Sequence, residues 1–405
     1  MKRLVLVVFG MAVALAAVEL GLRWSGPLVD PAAANPWIGC VGWAGQPHQR
    51  LSYHTDEFTT TELINSAGLP DVEHSYAKPR GVFRILILGD SFVEAYQVNL
   101  QQSFPRLLED MLNQNRTAGD PRFEVIKAGY RSWGTDQQWL YFQCEGYKYS
   151  PDLVLLSFTV NDVVDNYLPL KAKMAGWSEA TPPKPYYALE NDQLVQYNFP
   201  FPPPPDEVRP ETLPDWLYKH TVTYRVAEKG WHSLRLRVAE MGLSQASRNP
   251  SDETAINRYP THPMRYTLPV YIVPVPPEYE QAWQLTDALL ASLHRQVTDS
   301  GADFAVFSNS HIWSVHPSVL GEIGILDDPV YQDAAFDWQQ PVWRLAGTLT
   351  KMGVPWRLLD PDFVEYVAAH NDQRLFFREG HWNEEGHILA AELLYRWLVE
   401  QHLIP

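Results

Sequence analysis

The stretch RILILGDSFVEAY at residues 84–96 decides how the chain is read. Apart from Arg84, Phe83–Leu88 is apolar throughout, as a strand covered on both faces must be. The run stops on Gly89-Asp90-Ser91. Such a tripeptide is either a plain strand-end turn, in which Asp and Ser bond nearby backbone, or a device that holds a hydroxyl out at the strand's end. Three residues alone do not separate the two. Val93 stands where a G-x-S-x-G elbow has its second glycine, which counts against an α/β-hydrolase turn.

Working outward, the pattern alternates. Ser103 opens a helix with Leu107, Leu108, Met111 and Leu112 on one face. Phe123–Lys127 is a short strand. Thr135 with Gln138 reads as a capping box for a helix carrying Trp139, Leu140, Phe142 and Gln143, closed by Pro151. Leu153–Phe158 is another buried strand. From Tyr167 to about Pro277 the rhythm breaks into a long Pro- and aromatic-rich insertion, with Pro202–Pro205 in it and a hairpin around Glu190-Asn191-Asp192. A helix then runs from Glu278 to Ser300, followed by a strand at Phe304–Phe307, a helix at Val342–Met352 and a strand at Pro355–Leu359. Asn383 caps a last helix with Glu384 and Glu385 in its first turn and a buried stripe of Ile388, Ala391, Leu394 and Leu398. Five short strands alternating with helices predict an α/β fold, a parallel sheet between helix layers. Residues 81–405 are read as this domain, with the insertion at about 167–277, and residues 25–80 as an irregular lead-in.

The chain has 405 residues, 45% of them hydrophobic, which is enough for a large core. Its net charge of −16 disfavours nucleic acid and anionic surfaces as partners. At the N-terminus, Lys2 and Arg3 precede an apolar stretch from Leu4 to Val18. Glu19 interrupts it before Leu22. Residues 1–24 admit two readings. One is a membrane anchor spanning Leu4 to Leu22. The other is a signal peptide with a small-x-small site at Ala14-Leu15-Ala16. Either places the body outside the cytoplasm, tethered by one helix or released into the periplasm or medium. Cys40 and Cys144 have no CxxC or metal spacing. Export permits a bridge, but two thiols without a framework read as isolated small hydrophobes. The histidines show no ligand spacing, so no metal or other cofactor is expected.

Ligands of open parallel sheets bind off the carboxyl ends of the strands. There the chain places Ser91, Gly129, Asn161 and, after the last strand, Arg378-Glu379-Gly380-His381-Trp382-Asn383. Together these are the parts of an acyl-transfer site. Ser91 is the nucleophile and His381 the base that takes its proton. The backbone N–H groups of Ser91 and Gly129 and the Asn161 amide are oxyanion donors. Glycine at 129 permits close backbone approach, and asparagine at 161 donates without bringing charge.

Gly-Asp-Ser after the first strand, a glycine after the second, Asn-Asp after the third and a late histidine resemble the SGNH (GDSL) hydrolases over roughly residues 82–162 and 278–400. The segment from Gly380 to His387 looks like exported, membrane-anchored bacterial members. The resemblance implies a flavodoxin-like three-layer α/β/α sandwich, metal-free ester chemistry and a shallow, exposed site. Two positions depart from it. Thr159 stands where many members have glycine. Arg378 stands where many have Asp, three before the histidine. Glu379, two before, is expected to orient His381 as an extended segment would allow, with Asp372 as the second candidate. The expected activity is hydrolysis of acyl esters, of extracytoplasmic carbohydrate or another ester, through an acyl-enzyme. Two alternatives are an O-acetyltransferase acting on polysaccharide with the same residues, and an inactive glycan-binding or assembly scaffold.

Overall fold

The structure is a computed structural model that describes residues 10, 13–20, 38–201, 221, 223, 264–322, 331, 333–370 and 374–405. Contacts divide the chain into two units, Met1–Ala34 with Pro204–Pro260, and Asn35–Pro203 with Thr261–Pro405. In the first, the Glu19 carboxylate accepts hydrogen bonds from the backbone N–H and hydroxyl of Thr223. Most of the apolar stretch read as an anchor or signal, and much of the insertion, lie outside the described residues. No helix among the described residues is long and apolar enough to cross a membrane.

The second unit is built on a five-stranded parallel sheet. Its strands are β3 (Val82–Gly89), β4 (Arg122–Gly129), β5 (Leu153–Phe158), β8 (Asp303–Ser308) and β9 (Trp356–Leu358), in the order β4-β3-β5-β8-β9. This is the flavodoxin-like order. Ile85–Leu88 and Leu153–Leu156 are fully buried, as strands covered by helices on both faces must be. One helix layer contains α3 (Phe104–Gln114), which packs against the final helix α9 (Glu384–Glu400). The other contains α4 (Thr135–Cys144), α5 (Asp162–Asn166) and the long α7 (Pro277–Asp299). Helix α8 (Gln340–Met352) docks on α7 through Arg344, which is bidentate to Glu280 at 2.6 and 2.7 Å and lies 4.9 Å over Trp283. Connections leave β3 toward one edge and β4 toward the other. The crevice between the carboxyl ends of β3 and β5 is therefore the topological switch point where such folds bind ligands.

Several local expectations are corrected. The lead-in is not irregular throughout. Arg50–His54 (β1) and Thr59–Leu63 (β2) form an antiparallel hairpin, pairing Arg50 with Leu63 and His54 with Thr59. Alternating burial of one face holds it to the body, a period the sequence reading passed over. Thr135 does not cap α4. Its hydroxyl donates to Asp162 at 3.1 Å, and Gly134 stands at the N-cap. That helix ends at Cys144, before a 3₁₀ turn at Gly146–Tyr149, rather than at Pro151. Ile388 is 38% exposed and lies outside the buried stripe, whereas Ala391, Leu394 and Leu398 are buried as expected. The Asn383 cap is present: its side chain accepts from Gly386 N–H at 3.0 Å. In the described part of the insertion, α6 (Leu168–Ala175) is followed by the β6–β7 hairpin (Tyr186–Glu190 and Gln193–Tyr197).

The cysteines are not isolated. Cys40 and Cys144 form a disulfide across 104 residues, with Cα atoms 6.5 Å apart. The short helix α1 (Ile38–Val41) packs on α4, and Gln137 Nε2 donates to Val41 O at 2.6 Å, which brings the two thiols together. Closing so long a loop constrains the unfolded chain strongly. Replacing Cys144 with serine is expected to destabilise the protein by about 3 kcal/mol. Urea unfolding of the variant beside wild type, each with and without reductant, reads this out. Reductant should lower the wild-type midpoint and leave the variant's unchanged.

Candidate active site

Ser91 opens the short helix α2 (Ser91–Glu94) immediately after β3. Asp90 is its N-cap, and Oδ1 accepts from Phe92 N–H at 3.0 Å. The local backbone bonding that an ordinary turn would show therefore belongs to Asp90. The Ser91 hydroxyl instead donates to His381 Nε2 at 2.7 Å, across 290 positions of sequence. His381 Nδ1 hydrogen-bonds the Glu379 carboxylate. Hydroxyl, imidazole and carboxylate thus stand in one line, with the carboxylate two residues before the histidine.

The segment bearing His381 is a tight turn, not the extended run expected. Gly380 has φ of +104°, a conformation that suits glycine, and its N–H bonds Phe377 O at 3.0 Å. Phe377 N–H bonds His381 O at 2.8 Å, and Asn383 N–H bonds Leu375 O at 3.0 Å. Trp382 anchors the turn. It is fully buried between Phe92 (4.9 Å), Phe104 (5.8 Å) and Phe363 (5.3 Å), and its indole donates to Ser310 Oγ at 3.0 Å. Arg378 faces away from the imidazole, toward Asp56 and Glu57. Asp372 lies outside the described residues.

Burial pushes the His381 imidazole down, but the Glu379 charge and hydrogen bond, together with the charges of Asp90 and Glu94, more than offset it and raise its pKa above the ordinary 6.5. Burial pushes the Glu379 carboxyl up, and His381 with the Gln97 hydrogen bond outweighs that and holds it below the usual range. The shifts are those of an imidazole and a carboxylate that stabilise each other's charge. The side chains of His381 and Glu379 are 23% and 37% exposed, so the site opens to solvent.

Gly129 ends β4 in register with Gly89 of β3. A Cβ on Gly129 would stand 2.5 Å from Val93 Cβ and 2.9 Å from the Asp90 carbonyl oxygen. Glycine is required there because the serine turn packs directly on its backbone. Gly129→Ala is expected to cost about 1–3 kcal/mol in stability through overpacking. Because the displaced turn carries Ser91, turnover should fall more than the folded fraction does. Thermal melts and kcat measured on one preparation test this.

Asn161 begins the turn after β5, across the switch-point crevice from Ser91. Its amide is already engaged in a way the sequence did not reveal. Nδ2 donates to Asp90 Oδ2 at 3.2 Å and to Asp165 Oδ2 at 2.9 Å, and Asp165 Oδ1 accepts from Lys171 Nζ at 2.5 Å. Thr159, where glycine was anticipated, is buried and accepts from Asn309 Nδ2 at 2.7 Å, which ties the turn to the end of β8.

Three further residues escaped the sequence reading. Glu94, fully buried at the end of α2, accepts from Arg131 N–H at 2.9 Å and from Arg131 Nη2 at 2.6 Å. The pair locks the loop after Gly129 to the serine helix. Arg131 also lies over the Tyr96 ring at 4.6 Å. His311 follows β8, the one strand whose carboxyl end the sequence reading did not inspect. Burial and the His381 charge push its imidazole down to about 3, so it stays neutral beside the proposed base. His387 is buried and accepts from Phe104 N–H at 3.3 Å. Among the described residues no three His, Cys, Asp or Glu side chains gather as metal ligands do.

No family model and no curated protein matches the chain. Solved esterases and a lipase are similar to it in structure. The acetyl xylan esterase AlAXEase has a TM-score of 0.37 at 10% identity, over 78% of this chain and 98% of that one. A catalytic mutant of Axe2, an acetylxylan esterase from Geobacillus stearothermophilus, has 0.37 at 10%, over 78% and 94%. A GDSL-like lipase from Bacteroides thetaiotaomicron has 0.35 at 11%, over 81% and 93%.

Proposed function

We propose that the chain is a serine-dependent carboxylic ester hydrolase of the SGNH (GDSL) type, working through an acyl-enzyme. The observation that carries this reading is the Ser91–His381–Glu379 line at the switch point of the sheet. In the first half-reaction Ser91 Oγ attacks the acyl carbonyl while His381 Nε2 takes its proton. The tetrahedral oxyanion forms beside the backbone N–H groups of Ser91 and Gly129. Asn161 contributes its amide by exchanging the longer of its two bonds, that to Asp90, for the oxyanion. His381 then passes its proton to the leaving alcohol. In the second half-reaction water, deprotonated by His381, attacks the acyl-serine and frees the acid.

The alcohol is assigned as a carbohydrate outside the cytoplasm. The opening of the site to solvent, with the Glu379 side chain 37% exposed, suits a bulky alcohol such as a sugar. The Cys40–Cys144 disulfide fits an oxidising compartment. Tethering by residues 1–24 remains part of the proposal.

A fluorophosphonate probe tests the nucleophile: wild type is expected to label, and Ser91→Ala not to. A folded wild type that takes no label overturns the reading in favour of a scaffold. With acetylated oligosaccharide, free acetate supports hydrolysis, and acetyl transfer to added sugar in preference to water supports the transferase.

A further inference from the structure

The β1–β2 hairpin touches both halves of the site. On the serine side, Thr60 Oγ1 donates to Tyr96 O at 2.6 Å, and the rings of Tyr53 and Phe58 lie 4.5 and 6.1 Å from Tyr96, five residues after the nucleophile. On the histidine side, Phe58 packs on Phe377 at 5.0 Å. Ala95, Val98 and Phe377 form a small apolar cluster of their own, closed by Phe58. Beyond it, the tip of the hairpin reaches the turn that carries the acid and the base. Arg378 N–H donates to Glu57 Oε2 at 2.9 Å, Arg378 Nε lies 3.3 Å from Glu57 Oε1, and Arg378 Nη2 pairs with Asp56.

We propose that Glu57 and Asp56 on the hairpin tip, gripping Arg378, are positioning residues that hold the Glu379–His381 turn in register with Ser91. The inference rests on the reading of Ser91 and His381 as nucleophile and base. Its physical basis is the backbone bond. Glu57 fixes the Phe377–Arg378 peptide, one residue before Glu379, and Gly380 beyond Glu379 has no side chain to restrict the turn. Without that bond Glu379 swings at Gly380 relative to His381, whose own backbone stays tied to Phe377 and anchored by Trp382. Surface ion pairs contribute little to stability, and Asp56 is 76% exposed, so it adds least. Glu57, only 20% exposed, is the principal grip. Catalysis is far more sensitive than stability, because a misplacement of about 1 Å costs on the order of 100-fold in rate. Arg378 occupies the place where an acid was anticipated, and its interactions show a different use for that position: it faces outward and is held.

The test compares wild type, Glu57→Ala, Arg378→Ala, Arg378→Lys and the Glu57→Ala/Arg378→Ala double variant, with p-nitrophenyl acetate as substrate. Glu57→Ala, which removes the acceptor of the backbone bond, is expected to lose about tenfold or more in kcat, with KM and the melting temperature nearly unchanged. Arg378→Ala keeps the backbone N–H and loses only the side-chain pairs, so it should lose less. The double variant should be no worse than Glu57→Ala, since the Arg378 side chain acts by holding Glu57 in place. Arg378→Lys, which keeps the charge, should stay near wild type. The rising limb of the pH profile should move to lower pH in Glu57→Ala, because a displaced Glu379 no longer raises the imidazole. Wild-type kcat in Glu57→Ala overturns the proposal. So does a loss of activity that only follows the folded fraction with the limb unmoved. A wild type without Ser91-dependent turnover overturns the functional reading itself, which the other two outcomes leave standing.

Discussion

Ser91→Ala is expected to lower kcat/KM toward an activated ester by about 10⁵-fold while leaving the fold intact. That factor corresponds to about 7 kcal/mol of lost transition-state stabilisation at 1.36 kcal/mol per decade. The methyl group cannot form the acyl bond, so the two-step path is lost altogether. The backbone donors at 91 and 129 stay in place, so a residual rate above that in water should persist. Loss of one exposed-side hydrogen bond to His381 leaves the core untouched, and the variant should melt close to wild type. Steady-state kinetics beside a melt measures both. A variant that keeps more than about a hundredth of the wild-type rate would move the nucleophile elsewhere.

Glu379→Gln is expected to lower kcat by about 10³ to 10⁴-fold, through the wrong tautomer and loss of the charge that stabilises the imidazolium. It also carries a signed pH effect. In wild type the carboxylate raises His381 above 6.5 against the downward push of burial. The base must be neutral to accept the serine proton, so the wild-type rate should rise with pH along a limb centred above 6.5. In the variant the largest upward contribution is gone and only the weaker charges of Asp90 and Glu94 still oppose burial, so the limb should move to lower pH. The stability linkage has the matching sign. A group whose folded pKa is raised adds stability that is fully present below its unfolded pKa and is lost as pH rises through the folded value. Wild type should therefore gain stability on acidification through this window, and the variant should lack that gain. With its pKa pushed down to about 3, His311 is neutral throughout this window and contributes no competing limb. A limb unchanged in Glu379→Gln would assign the orienting acid to another residue.

The strand-end residues were legible because strands announce themselves locally. The largely apolar runs at 83–88 and 153–158 and the shorter segments at 123–127, 304–307 and 355–359 each name a parallel strand, and every one is present. Once a sheet is parallel, chemistry collects at its carboxyl edge, so Ser91, Gly129, Asn161 and His381 could be singled out without coordinates. Glu379 was expected to reach His381 along an extended segment. The side chains meet across a turn pivoting on Gly380, not along an extended segment.

What the sequence by itself determined is the layered α/β class, its five strands and the order in which reactive groups leave them, because periodicity and strand ends are properties of near neighbours. What only the tertiary structure decided is everything that depends on which distant surfaces touch. The Cys40–Cys144 bridge, the carboxylates around Asn161, the Glu94–Arg131 lock and the hairpin that grips Arg378 join residues from separate elements. No spacing rule encodes such pairs. They follow from how α1 lies on α4, and how β1–β2 lies over both segments of the site, and those contacts exist only once the whole core has closed.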